Sequence, residues 1–198
     1  MDNNLEFKTY LFLSRKKIIL SVKNNSNDYI YNQEFNIKSN KAEFIINELE
    51  NILENNIFRI EKKIKNFIKK VDIILEFDDF FNIGVSIKNN FENLINSKNL
   101  DYLLNEIKNC SEKTIDNREI IHMIIENYKI DERDYSNLPE NLNSKNFSID
   151  VKFICLSRTF VISLEKVLKK YQISLGKLVN ANYIRSFQVD IEKQDRED

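Results

Sequence analysis

The sequence predicts an α+β protein built as two small layers, and three observations carry that prediction. Short β-prone runs open the chain, long stretches of 3–4 apolar spacing interrupt them, and the two patterns alternate too irregularly for a doubly wound parallel sheet. The 198 residues are 42% apolar and 31% charged, enough apolar material for an ordinary core.

The elements follow in order. Phe7 to Leu13 and Lys17 to Val22 read as strands around the polar turn Ser14-Arg15-Lys16, and Tyr29 to Ile37 as a third after Asn24 to Asp28. Asn40 and Glu43 fit a capping box for a helix whose inward face is Phe44, Ile45, Leu49, Ile52 and Leu53. A second helical pattern has Ile57, Ile60, Ile64, Phe67 and Ile68 on one face. Val71 to Phe77 then reads as a buried strand.

Phe81 to Ile87 reads as a strand. Ser97 is placed to cap a helix with Leu100, Leu103, Leu104 and Ile107 inward. Glu119 to Ile130 is a long strand, and Ser136 to Asn146 a polar loop holding the single proline, Pro139. Phe147, Ile149, Val151, Phe153 and Cys155 alternate as a half-buried strand requires. A helix over Thr159 to Tyr171 turns Val161, Leu164, Val167, Leu168 and Tyr171 inward. Leu178 to Val189 fits either helix or strand, and the charged stretch from Asp190 to Asp198 reads as a frayed tail.

Composition excludes several chemistries. Two glycines cannot build a Gly-rich phosphate loop or a dinucleotide fingerprint, and one histidine with two cysteines cannot build the usual zinc sites. A net charge of -1 argues against binding dominated by nucleic-acid phosphates. No apolar run approaches the roughly 20 residues of a membrane span. Met1 to Glu6 lack the basic start of a signal peptide, so the expectation is a cytoplasmic protein. The abundance of Asn, Ile, Lys, Phe and Tyr reads as codon drift rather than a prion-like tract, because the asparagines interleave with periodic apolar residues.

Four groups of residues invite a chemical reading. His122 on its strand has no evident nucleophile or carboxylate partner, so a structural role is expected. Cys155 continues an apolar alternation and reads as a small core residue, while Cys110 ends a helix. Glu76, Asp78 and Asp79 read as a turn at a strand end rather than an acid–base pair. The stretch Ile57 to Lys70 carries Arg59, Lys62, Lys63, Lys65 and Lys69 opposite its apolar face. That pattern suits a solvated face of a core-packed helix, an anionic membrane surface, or a phosphate backbone.

Arg118 to Asp131 reads Arg-Glu-Ile-Ile-His-Met-Ile-Ile-Glu-Asn-Tyr-Lys-Ile-Asp. This resembles a stretch of the bacterial actin-like cell-division family FtsA, in which an Arg-Glu pair leads into a strand reading His-Val-Ile-Pro-Gln-Glu-Tyr. Arg118, Glu119, His122, Ile124, Tyr128 and Asp131 match. Asn96 to Lys108, Phe147 to Leu156 and Val161 to Leu178 resemble the helix, strand and closing helix-plus-strand of the family's inserted subdomain. Tyr10 to Val22 is similar to the family's first two strands, and Lys70 to Phe77 to the strand entering that subdomain.

The resemblance implies a partial actin-like (ribonuclease H-like) β-β-β-α-β layer over 7–79, corresponding to the start of subdomain 1A. An SHS2 subdomain (1C) over 80–178 and a terminal element with charged tail over 179–198 would follow. The family's Asp-Ile-Gly-Thr phosphate turn aligns with Phe12, Leu13, Ser14 and Arg15, which implies that ATP binding is lost and no cofactor is held. A family proline aligns with Ile125, and a glycine before the exit strand with Gln172 or Ile173. The implied function is a non-catalytic division adaptor acting through protein contacts of its SHS2 part. Its expected partners are late division proteins, further FtsA-like chains or a second copy, with peripheral membrane contact at the inner face of the division site. The alternatives are an SHS2-type ligand- or RNA-binding module and a pilus-assembly component like PilM.

Overall fold

In the computed structural model, residues 7–37, 42–89, 97–139 and 146–186 are described. The first three strands are β1 (Phe7–Ser14), β2 (Lys17–Asn24) and β3 (Tyr29–Asn36), followed by helix α1 (Ala42–Ile64) and β4 (Lys70–Glu76). Then come β5 (Phe81–Asn89), α2 (Ser97–Thr114), β6 (Arg118–Ile130), β7 (Arg133–Tyr135) and β8 (Phe147–Ser157). Helix α3 (Arg158–Lys170) and β9 (Ser174–Asn180) close the series. Residues 181–186 are helical, which resolves the described part of the stretch after Leu178.

The chain forms two compact units, residues 1–78 with 159–198, and residues 79–158. The first holds a five-stranded sheet in the order β3-β2-β1-β4-β9. β1, β2 and β3 pair antiparallel, while β4 pairs parallel to β1 and β9 parallel to β4. This is an α+β protein. The fold class agrees with the expectation from sequence.

The grouping of the later elements does not. The sequence reading placed 80–178 in one subdomain, yet β9 joins the first sheet and α3 falls in the first unit. The reason is edge pairing: the backbone of β9 finds its ladder along β4, with Lys70 opposite Ser174 and Leu75 opposite Asn180.

Period-2 alternation explains the first sheet. Leu11 and Leu13, Ile18, Leu20 and Val22, and Val71, Ile73 and Leu75 are all at most 1% exposed and face the same side. Each such side chain contributes roughly 1.5–3 kcal/mol on burial. Parallel crossovers are right-handed, and both β3-α1-β4 and the passage from β4 through α3 to β9 step in one direction along the sheet, so α1 and α3 cover this same face. The helices touch through a Glu50–Lys170 ion pair and the Tyr171 hydroxyl donating to the Glu50 carbonyl at 3.3 Å.

The two helical patterns read between Asn40 and Ile68 are one helix of 23 residues. Its buried stripe runs Ile45, Leu49, Ile52, Leu53, Asn56, Ile60 and Ile64. Asn56 holds the junction: it donates to the Ile52 carbonyl at 2.8 Å and accepts from the Tyr31 hydroxyl at 3.4 Å, so a polar side chain stays buried. Phe44 and Phe67, both expected inward, are 57% and 71% exposed. Phe44 stands one step off the 3–4 stripe, and Phe67 lies beyond the helix end. Asn40, the expected cap, falls outside the described residues.

The second unit is a four-stranded sheet in the order β5-β8-β6-β7. Leu103 and Ile107 of α2 pack with Ile130, Phe147, Ile149, Val151, Phe153 and Cys155. The register of β6 against β8 shifts between Ile120 and His122 and again between Ile125 and Asn127, so two bulges interrupt the ladder. β7 is absent from the sequence reading because its turn carries no glycine. Asp131 and Glu132 take positive φ values of 45° and 70°, the backbone a two-residue hairpin needs.

Two substitutions test this account. Glu132→Gly should raise stability by about 1 kcal/mol, because it removes the Cβ penalty of a left-handed residue; a rise in the urea midpoint would show it. Gly176→Ala should lower stability by about 1–3 kcal/mol. Its Cβ would fall 2.1 Å from Asp72 Oδ1 and 2.9 Å from the Val71 carbonyl, and Asp72 Oδ1 is already held by the Lys177 N–H at 2.7 Å.

Candidate protein- and anion-contact surfaces

The residues singled out in the sequence are not gathered into one site. Three places could contact a partner or an anion: the first hairpin turn, the end of α1, and the open edge of the second sheet.

At the first turn, Leu13 pairs with Ile18, so Arg15 and Lys16 form the loop between Ser14 and Lys17. Phe12 is half-buried, Leu13 fully buried, and Ser14 only 4% exposed. The Ser14 hydroxyl accepts from the N–H of Lys16 at 3.3 Å and of Lys17 at 3.0 Å, and donates to the Lys17 carbonyl at 3.0 Å. Backbone N–H groups of this kind would face an anion in a phosphate-cradling turn. Here a side-chain hydroxyl already takes them.

At the end of α1, Lys65 has φ 54° and the Asn66 N–H donates to the Glu61 carbonyl at 3.2 Å, which is a Schellman stop. The helix therefore ends before Lys65, and Lys69 lies in the connection to β4 rather than on a helix face. The Glu61 carboxylate then accepts the Ile68 N–H at 3.0 Å, and the Ser174 hydroxyl and N–H both donate to the Lys69 carbonyl, so the connection is tied down at both ends. Arg59, Lys62, Lys63, Lys65 and Lys69 are exposed and enter no ion pair among the described residues. Arg59 is close enough to Tyr31 to oppose the upward shift that burial gives its hydroxyl. Phe58, at 74% exposed, stands one turn before Lys62 on the outer face.

In the second unit β5 is an edge strand. Ile83, Val85 and Ile87 are half-buried against the core, while Asn82, Gly84, Ser86 and Lys88 face solvent. A groove of about 840 Å³ lies between β5 and the last turns of α2, lined by Phe81, Ile83, Val85, Cys110, Thr114 and Ile115 among others. The Arg118 guanidinium stacks 4.8 Å over the Phe81 ring at one end. A Cβ on Gly84 would meet nothing within 4 Å. Phe81 to Ile87 and Phe147 to Leu156 are the strands expected from sequence to offer an edge; β5 does, whereas β8 lies between β5 and β6, since pairing order is a property of the whole sheet.

Comparison with known proteins shows fold similarity only. No protein-family model matches the chain, and no curated protein matches it by sequence. Among solved structures, a chain of the PilM-PilN type IV pilus biogenesis complex superposes with a TM-score of 0.52 at 10% identity over 89% of this chain. The two share a fold. This chain spans 48% of that protein's length. A Bacteroides thetaiotaomicron protein with an actin-like ATPase fold and unknown function is a weaker match, with a TM-score of 0.42 at 14% identity, covering 96% of this chain and 59% of its own.

The remaining singled-out residues have structural surroundings. Cys155 is fully buried in the second core and burial raises its thiol pKa; Cys110 is exposed beside the groove. Glu76 pairs with Arg185, Asp78 and Asp79 are exposed, and no group of three metal-ligating side chains occurs among the described residues. The α3 stop puts Gln172, one of the two positions aligned with a glycine in the FtsA resemblance, at φ 59°.

Burial disfavours the imidazolium and lowers the His122 pKa below its ordinary value of 6.5. The unfolded chain therefore binds that proton more readily. Stability from this group is complete above the unfolded pKa and falls as pH drops through it toward the lower folded value. The urea midpoint should fall between about pH 7.5 and about pH 6, and His122→Gln should shrink that fall. An unchanged pH profile in the variant would remove His122 as its source.

Proposed function

We propose that this protein is a non-catalytic scaffold that binds an extended segment of a partner protein as an added strand on β5. The open β5 edge with its apolar groove is the observation that carries the reading. Strand addition satisfies the unpaired backbone groups of an edge, and alternate side chains of the incoming segment enter a neighbouring pocket. Here alternate apolar side chains would lie beside Ile83, Val85 and Ile87 and fill the groove.

Two further observations support a scaffold rather than an enzyme. The first-turn N–H groups are engaged by Ser14, which favours loss of nucleotide binding. The resemblance to FtsA around Arg118 to Asp131 points to the division machinery as the setting, with the chain working without ATP turnover. A pilus-assembly role is the second reading, favoured by the fold shared with a protein that is part of a pilus biogenesis complex.

A photo-crosslinking residue at Gly84 or Ser86 tests the partner in host cells. One envelope or division protein should dominate the crosslinks, and Val85→Lys should reduce them about tenfold, because an inward-facing charge on an edge strand blocks pairing. The lysine can carry its charge out to solvent, so the unit stays folded. Crosslinks unaffected by Val85→Lys would reject the β5 surface. A midcell band of a tagged copy separates division from pilus assembly. Addition of Mg²⁺ and ATP at about 1 mM should leave the melting temperature unmoved, and a rise of several degrees would overturn the non-catalytic reading.

A further inference from the structure

We propose that the end of α1 and the connection after it form a docking surface for an anionic membrane. Phe58 and Phe67 would enter the headgroup layer, and Lys62, Lys63, Lys65 and Lys69 would face lipid phosphates. The inference rests on exposure and charge in the first unit and is independent of the scaffold reading.

Three observations carry it. Phe58 and Phe67 are 74% and 71% exposed, the two most exposed large apolar side chains among the described residues. A phenylalanine has no polar tip, so solvent is its worst surrounding and a lipid interface a better one. Both lie within or just beyond the last two turns of one helix. At 1.5 Å per residue, Phe58 sits roughly 9 Å along the axis from Ile64, where the helix stops.

The cations are the second observation. On the helix, Lys62 follows Phe58 by four residues, so the two share one outward stripe, and Lys65 is the left-handed residue just past the helix end. Lys63 flanks the stripe, and Lys69 follows Phe67 in the connection. None of these lysines pairs with a carboxylate among the described residues. Between Ile57 and Lys70, Arg59, Lys62, Lys63, Lys65, Lys69 and Lys70 stand against one carboxylate, Glu61, so the local charge is positive although the whole chain carries a net charge of -1.

The third observation is rigidity. The Schellman stop and the Glu61, Lys69 and Ser174 hydrogen bonds hold the connection, while Ile64 and Ile68 on either side of Phe67 are buried. Phe67 is thus fixed outward by buried neighbours. This preorganisation removes much of the ordering cost of docking.

The mode differs from an amphipathic helix lying in the membrane plane. The aliphatic stripe of α1 is committed to the protein core, so only two aromatic side chains are available to insert. Attachment should be reversible, dependent on anionic lipid, and weakened by salt. A nucleic acid fits less well. Single strands are held in grooves that track their backbone, whereas this surface is the convex outer side of a helix.

The test uses the full chain and sedimentation with vesicles of phosphatidylcholine, alone or with about 30% phosphatidylglycerol. Binding should require phosphatidylglycerol and decline as salt rises. Phe58→Ser with Phe67→Ser should lower partitioning about tenfold, and Lys62→Gln with Lys65→Gln and Lys69→Gln should do so by a similar factor. Unchanged urea midpoints would show that these exposed substitutions leave the fold intact, and unchanged β5 crosslinking would separate this surface from the partner site. The proposal is overturned if vesicles bind equally with and without phosphatidylglycerol, if neither sediments the protein, or if the Phe variants partition like the parent. Retention on single-stranded RNA that outcompetes the vesicles would likewise overturn it in favour of nucleic-acid binding.

Discussion

The parallel pairing of β4 with both β1 and β9 is the constraint on which the rest of the architecture depends. Antiparallel neighbours can be joined by a turn, but parallel neighbours require a crossover. The chain leaves β4 at Glu76 and re-enters the sheet at Ser174. Everything between belongs to that one connection: an entire second unit, residues 79–158, and then α3. A unit inserted into a crossover can vary without disturbing the sheet, provided that α3 still covers the apolar face and β9 still finds β4. The close fit at Gly176, where Asp72 closes the irregular register between the two strands, is where that pairing tolerates least change.

The same constraint separates the two candidate surfaces. The cations and exposed aromatics at the end of α1 belong to the first unit, in the connection that feeds β4. The open edge of β5 and its groove belong to the inserted unit. Each follows from what its own core leaves unused. α1 spends its aliphatic stripe on the sheet, so only Phe58, Phe67 and the lysines remain outward. α2 spends Leu103 and Ile107 on the core around β8, so the apolar row of Ile83, Val85 and Ile87 is covered on one side only.

The first turn shows how a tight corner between two antiparallel strands can close without glycine. Its N–H groups are satisfied from within by Ser14. A turn satisfied in this way is a stable hairpin corner in its own right. It needs neither a glycine for close approach nor an anion for its donors.

The strands with clean alternation were legible directly from residues, because period 2 with one buried face leaves little freedom; Phe147 to Cys155 is the clearest case. The helices were legible from 3–4 spacing. Three features were not legible. The union of two helical patterns into α1 depends on Asn56, a polar residue whose burial is compensated by the Ile52 carbonyl one turn back and by the Tyr31 hydroxyl from a distant strand. The hairpin leading to β7 depends on Asp131 and Glu132 adopting left-handed backbone without glycine. The placement of β9 in the first sheet, with α3 in the same unit, depends on the free edge of β4. The sequence by itself determined the local elements, through periodicity and turn chemistry that act over a few residues. Only the tertiary structure decided which strand lies beside which, which edge stays open, and which phenylalanines face solvent. Those outcomes arise from competition for the same buried surface among residues far apart in the chain.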